Sequence, residues 1–258
     1  MSSDINYVFD KSSGLERILY DDQDREVVYF TSNESIKPAE DTFSRISGLD
    51  RYVGVVGGFT ASLYILSKLQ DKNNLSSVDM VDISPSAIWQ ALEIINKFNN
   101  SSSEEYREYL TFEYSGYLSH AALSCSKDDE TYNGFAETNL KKPNLTRDLN
   151  LRFSHAEVFD FLGRLENKGK YFIYLSNLLD YAKWSAGSEL IRAKIVDNDN
   201  IENGSYLLLT SLLKARRDNL NSLIEDKSNA VKADSAYAFG IFKKENSHLS
   251  TEFVYSLI

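Results

Sequence analysis

The sequence predicts an α/β fold in which a mostly parallel sheet closes with an antiparallel β-hairpin, and three observations predict it. Short apolar runs at 52–56, 78–83, 149–153, 171–175 and 205–213 have the length of strands, and several have the continuous apolar character of strands covered on both faces. Stretches of helical period lie between most of these runs, and a strand–helix–strand succession builds a parallel sheet through right-handed crossovers. The chain closes with "YAFGIFK" and "TEFVYSLI", two strand-like runs joined by the polar turn "KENSH", which is the pattern of a hairpin.

The elements follow in order after an N-terminal cap segment, 1–49. Tyr52–Val56 is a buried strand, and Ala61–Leu69 places Leu63, Tyr64 and Leu66 with helical spacing. Val78–Ile83 is a second strand. Ser84 can cap the helix that follows, with Pro85 in its first turn where a missing N–H costs nothing; Ile88, Leu92 and Ile95 mark its apolar face. Residues 99–150 are polar and tyrosine-rich, with one helix-like stretch, "SSEEYREYLTFEY", and read as an insertion outside the sheet framework within a single domain, 50–258. The strand pattern resumes at Leu149–Phe153. "SHAEVFDFLGRL" then reads as a capping box with Ser154 as the cap and Glu157 three residues later. Gly169 marks that helix's end. "YFIYL", helix-like "GSELIRAKI" and "SYLLLTSLL" lead to the hairpin.

Composition excludes several classes of function. A net charge of −10 opposes a protein that works by covering phosphates with Lys and Arg, so no nucleic-acid partner is expected. Cys125 is the only cysteine, and His120, His155 and His248 are scattered, so neither a disulfide framework nor a metal site is expected. No run of eighteen apolar residues occurs and the N-terminus lacks a basic start and an apolar core, so a soluble, cytoplasmic protein without membrane insertion is expected. Oligomeric state is not legible.

The chemistry-bearing stretch is "VVGGFTAS". A dinucleotide site calls for G-x-G-x-x-G and a phosphate loop for Gly-Lys-Ser/Thr; here Gly57 and Gly58 are adjacent and Phe59 and Ala61 stand where glycine would be wanted. One reading is a tight turn that needs glycine only for its backbone angles. The other is close approach of a cofactor, and it gains from Asp82, which ends the next strand 25 residues after Gly57, where a carboxylate can accept both hydroxyls of a ribose.

"YVGVVGGFTAS…VDMVDIS" resembles the first two motifs of class I S-adenosylmethionine-dependent transferases, in particular their polyamine-synthase branch. The resemblance covers roughly residues 50–258 without the insertion and implies a seven-stranded Rossmann-like sheet. It also implies S-adenosylmethionine as co-substrate, with Gly57, Gly58, Phe59 and Thr60 at its amino-acid and ribose part, Asp82 at the ribose, and Ile83 and Ser84 among the residues that bind it. Many relatives have an acid followed by alanine after a later strand, against the adenine amino group; the corresponding pair here is His155-Ala156. A neutral imidazole can accept from that amino group, while the alternative for His155 is an exposed first-turn helix residue. After the fourth strand, "LSNLLDY" replaces the Asn/Asp-Pro-Pro motif of base methylators and, with "VDISPSA", is similar to the betaine-lipid synthase group, which moves the 3-amino-3-carboxypropyl arm of the cofactor.

That likeness implies Ser176 and Asn177 at the cofactor, and Asp180, then Tyr181, as proton acceptor for the attacking group. Alternatively these residues only cap and pack a helix. The insertion could supply a lid that keeps the site dry. The Asn-, Lys- and Tyr-rich composition is similar to that of low-GC accessory clusters, which implies a small or peptide-linked acceptor, as in nucleotide-peptide antibiotics of the microcin C kind. A small-molecule methyltransferase and a non-catalytic cofactor-binding module remain the alternatives.

Overall fold

The computed structural model describes residues 3–11, 35–113, 135–176, 178, 186–211, 220–224, 231 and 237–257. The chain divides into two compact units, one made of Met1–Ser47, Gly54–Asn73 and Ser77–Ala156, the other of Gly48–Val53, Asn74–Ser76 and Glu157–Ile258. Sheet and helices form an α/β architecture, mostly parallel, with antiparallel strands at the C-terminal end.

In the first unit the strand order is β1 (Ile5–Phe9), β4 (Leu149–His155), β3 (Ser77–Asp82) and the last residues of β2 (Arg51–Val55). β4 runs parallel to both β1 and β3, with Phe9 aligned to Phe153 and Asp82 aligned to His155. β1 is a strand that the sequence pattern does not announce, and with it the described residues hold eight strands where seven were expected. Only Ile5 of its five residues is buried, because β1 is an outermost strand. In β4 the alternation is clear: Leu149, Leu151 and Phe153 are buried, while Asn150 and Arg152 are exposed. Buried Asp79 of β3 is answered by its aligned neighbour Arg152, whose Nε lies 2.5 Å from Oδ1.

Four helices of this unit matter below: α1 (Glu40–Arg45), α2 (Phe59–Leu69), α3 (Pro85–Asn100) and α4 (Ser103–Glu113). α3 begins as its sequence dictates, with the Ser84 hydroxyl accepting from Ala87 N at 3.3 Å and Pro85 in the first turn. Its buried stripe is Ala87, Ile88, Ala91, Ile94, Ile95 and Phe98; Leu92, expected on that face, lies at its margin. α4 opens with a capping box, Glu105 N donating to Ser102 Oγ and Ser102 N to the Glu105 carboxylate. Tyr106 of α4 is fully buried, edge-on to Phe98 at 5.9 Å, so this tyrosine of the expected lid is a core residue. At α1, burial raises the pKa of Glu40, but the ammonium groups of Lys37 and Lys68 outweigh it and hold the group at about 2.

In the second unit the order is β2, β5 (Tyr171–Tyr174), β6 (Tyr206–Ser211), β7 (Tyr237–Glu245) and β8 (His248–Leu257). β5 and β6 are parallel; β7 is antiparallel to both β6 and β8. All four side chains of β5 are buried, as expected of a strand covered on both faces, and the rings of Tyr52 and Phe172 stack at 5.9 Å. The hairpin turn is formed by Asn246 and Ser247, Asn246 taking the left-handed conformation that its side chain tolerates. β8 bulges at Glu252, which is left between the aligned pairs Ile241–Phe253 and Phe242–Thr251, and a Cβ added at Gly240 of β7 would lie 2.7 Å from Cζ of Phe242. The described part of "GSELIRAKI" is helical, α5 being Val158–Gly163 and α6 Ala186–Ile191, the latter running into a π-helical turn at Arg192–Val196. Buried Lys244 donates to Ile195 O and Asn198 O, both at 2.9 Å, at the end of that turn.

One expected cap is corrected. Ser154 does not start α5, because β4 continues through it to His155, held by pairing with Val81 and Asp82. Glu157 is the cap, its carboxylate accepting from Asp160 N at 2.9 Å. No described helix is long and apolar enough to cross a membrane.

Candidate cofactor site

The carboxyl ends of β2, β3 and β4 bring most of the expected site residues together in the first unit. After β2 the chain makes a 3₁₀ turn, Val56–Gly58, and enters α2 at Phe59. Neither Gly57 nor Gly58 has a positive φ, and Gly58 sits at φ −109°, ψ 34°, so left-handed angles are not the reason for glycine here. A Cβ on Gly57 would meet only Asp82 Oδ2, at an ordinary 3.8 Å. What the glycines provide is a turn whose amide edge carries no side chain, followed by a helix with no side-chain cap on its first N–H groups.

Asp82 is the centre of the site. Its Oδ2 accepts from Gly57 N at 3.0 Å and its Oδ1 from Ser84 N at 2.9 Å, so one carboxylate ties the β2–α2 turn to the β3–α3 turn. With the N–H groups of Gly57, Ser84 and Ile83 on it, the carboxylate keeps acceptor capacity for a further donor. Burial raises the pKa of the group, opposed by the N–H donors of Ser84, Gly57 and Ile83 and by the charge of His155. Ile83 projects into solvent beside it, 66% exposed, an apolar surface of the kind a purine ring covers. The Ser84 hydroxyl is occupied with capping α3.

His155 closes β4 opposite Asp82 and is partly buried, in a strand and not on a first helical turn. Its Nε2 lies 2.9 Å from Ile83 O, so in the neutral ring Nε2 carries the proton and Nδ1 is left as an acceptor. Ala156 N donates to Asp82 O at 3.0 Å. Phe59 and Thr60 face inward: the Phe59 ring lies 6.1 Å from that of Phe153, and the Thr60 hydroxyl donates to Asn139 Oδ1. Their backbone N–H groups are what they can offer a ligand. Asn139 itself was not signalled by the sequence, since nothing local marks a contact across 79 residues.

In the second unit, Ser176 follows β5, buried and left-handed at φ 52°, with its carbonyl accepting from Thr210 N at 3.0 Å. A non-glycine residue held so at the end of a central strand is strained. Asn177, Asp180 and Tyr181 lie outside the described residues. Among the described residues no group of three or more His, Cys, Asp or Glu side chains could hold a metal ion.

The strain at Ser176 gives a direct prediction. Ser176→Gly should stabilise the protein by up to about 1.5 kcal/mol, the net of roughly 1–2 kcal/mol of left-handed strain relieved and about 0.5–1 kcal/mol lost to the greater unfolded freedom of glycine. Thermal denaturation followed by circular dichroism measures it, and a lowered midpoint would show that the left-handed conformation is not strained.

No protein-family model matches the chain, nor does any curated protein. Solved structures similar to it include a candidate methyltransferase of Thermoplasma acidophilum, at 12% identity over 70% of this chain and 51% of that one, TM-score 0.37. Another is an S-adenosylmethionine-dependent methyltransferase of Clostridium acetobutylicum, at 11% identity over 94% and 78%, TM-score 0.35. A third is the rRNA methyltransferase AviRa of Streptomyces viridochromogenes, at 11% identity over 78% and 82%, TM-score 0.34. The chain spans 51%, 61% and 55% of the length of the first three similar structures.

Proposed function

We propose that this chain is an S-adenosylmethionine-dependent transferase that moves the 3-amino-3-carboxypropyl group to a small or peptide-linked acceptor and releases methylthioadenosine. The observation that carries cofactor binding is the placement of Asp82. Its carboxylate stands at the carboxyl end of β3, braced by Gly57 N–H and Ser84 N–H, with acceptor capacity left for a diol. The bare amide edge at Gly57 and Gly58, the exposed Ile83 and the free Nδ1 of His155 supply neighbouring surfaces for the rest of a nucleoside.

The cofactor would supply a sulfonium whose three carbons are all electrophilic. The protein's part is to hold the nucleoside by Asp82, to aim one carbon in line with the acceptor, and to take the proton the acceptor loses on attack, a role given to Asp180 with Tyr181 beside it. The choice of the amino-acid arm over the methyl group rests on the likeness of "LSNLLDY" to arm-transferring enzymes. An acceptor on a nucleotide-peptide antibiotic of the microcin C kind fits the sequence style.

Chromatography of the nucleoside formed with the native acceptor, or with a crude extract containing it, tests the reading. Methylthioadenosine in step with acceptor modification is the expected result, because the methyl group stays on sulfur. Stoichiometric S-adenosylhomocysteine would replace arm transfer by methyl transfer at the same site.

A further inference from the structure

The four-residue turn Gly57–Thr60 carries no cap of its own, yet it is held at both ends by side chains from elsewhere in the chain. At its start, Gly57 N donates to Asp82. At its end, the Thr60 hydroxyl donates to Asn139 Oδ1 at 2.9 Å. Asn139 is 1% exposed and Thr60 3%, so this hydrogen bond is shielded from water. The Asn139 amide is itself oriented, its Nδ2 donating to Phe135 O at 3.2 Å within the short helical segment 135–139, which turns Oδ1 toward Thr60. Thr138, also 1% exposed, keeps this segment packed inside the first unit.

We propose that Asn139 is a positioning residue for the cofactor turn: it fixes the first turn of α2 through Thr60, so that the amide edge of Gly57–Thr60 is preformed before a nucleoside arrives. The inference rests on the cofactor reading above. A buried hydrogen bond between residues 79 apart couples two distant segments, and an unmade partner on either side is costly to leave in the interior. Its placement one residue into α2, opposite the Asp82 brace, makes it the second of two clamps on one turn. At 1% exposure Asn139 offers a ligand no surface of its own, so its effect passes through backbone position.

The test combines Thr60→Val, Thr60→Ser, Asn139→Ala and the double variant Thr60→Val/Asn139→Ala. Calorimetric titration with S-adenosylhomocysteine should show affinity reduced about 2- to 30-fold in Thr60→Val and in Asn139→Ala, the range for residues that couple without touching a ligand. The double variant should be no weaker than the worse single one, because one interaction is being removed, and Thr60→Ser, which keeps the hydroxyl, should lose less affinity than Thr60→Val. Hydrogen exchange without ligand provides the second readout: amides 57–61 should exchange faster in Asn139→Ala while those of β3 and β4 do not change. Native affinity in both single variants, or faster exchange spread evenly over the first unit, overturns the positioning role and leaves the cofactor reading standing. Failure of the native protein itself to bind S-adenosylhomocysteine overturns the cofactor reading and the inference with it, and that outcome is told apart by the native titration.

Discussion

Asp82→Ala is expected to remove S-adenosylmethionine binding almost completely while the protein remains folded. A carboxylate that receives both hydroxyls of a ribose makes two charge-assisted hydrogen bonds, each worth about 1.5–3 kcal/mol, so their loss lowers affinity by roughly 10²-fold or more. Asp82→Asn, ordinarily a mild change, should do nearly as much harm. The native carboxylate accepts from Gly57 N on one oxygen and from Ser84 N on the other. An asparagine has one oxygen, so whichever way it is turned its NH₂ faces an N–H donor, and one of the two turns it braces must open. Affinity should also depend on pH in a particular sense. Burial holds the pKa of Asp82 above that of an ordinary aspartate, so protonation, and with it loss of the diol contact, sets in at a higher pH than a solvent-exposed carboxylate would give. Calorimetric titration of the native and substituted proteins across the acid range measures all three effects. Native-like affinity in Asp82→Ala would remove the ribose assignment and the cofactor reading that depends on it.

How far the sequence reveals this architecture depends on whether the deciding interactions are local. β5 is legible because burial on both faces forces an unbroken apolar run, "YFIY", that needs no partner to be recognised. The start of α3 is legible because Ser84 and Pro85 act on their own next turn. β1 is hidden for the opposite reason: an outermost strand with one buried residue has little pattern, and its partner β4 lies 144 residues away. The cap of α5 is misread at Ser154 because local chemistry allows it, while the extension of β4 to His155 is decided by pairing with a different strand. The same division runs through the site. Gly57 and Asp82 are marked by residue type and position after a strand, and their hydrogen bond joins them as the spacing suggests. The Thr60–Asn139 bond has no such mark, since threonine and asparagine are common and the bond exists only once two distant segments pack.

On the proposed reaction, the largest kinetic effect belongs to Asp180. Transfer turns a sulfonium into a neutral thioether, and the acceptor amine or hydroxyl that forms the new carbon bond must give up a proton; without a base that proton stays on the attacking group, which then carries the positive charge the sulfur has lost. A positioned carboxylate that accepts it contributes typically 10²–10⁴-fold. Asp180→Ala should therefore lower kcat by about 10²–10⁴-fold with cofactor affinity unchanged, because the residues proposed to hold the ribose, Asp82 and the glycine turn, belong to the first unit. Two readouts separate this role from a helix-capping one. A base produces an acid limb in the pH–rate profile that disappears in Asp180→Ala, and the residual rate should rise with pH as hydroxide takes over the proton. A cap lost instead lowers thermal stability by about 0.5–2 kcal/mol and leaves the shape of the profile intact. If Asp180→Ala keeps native kcat while Tyr181→Phe loses it, the proton passes to the phenol; if both keep it, the acceptor arrives already deprotonated and the segment after β5 serves only to aim the transferred carbon.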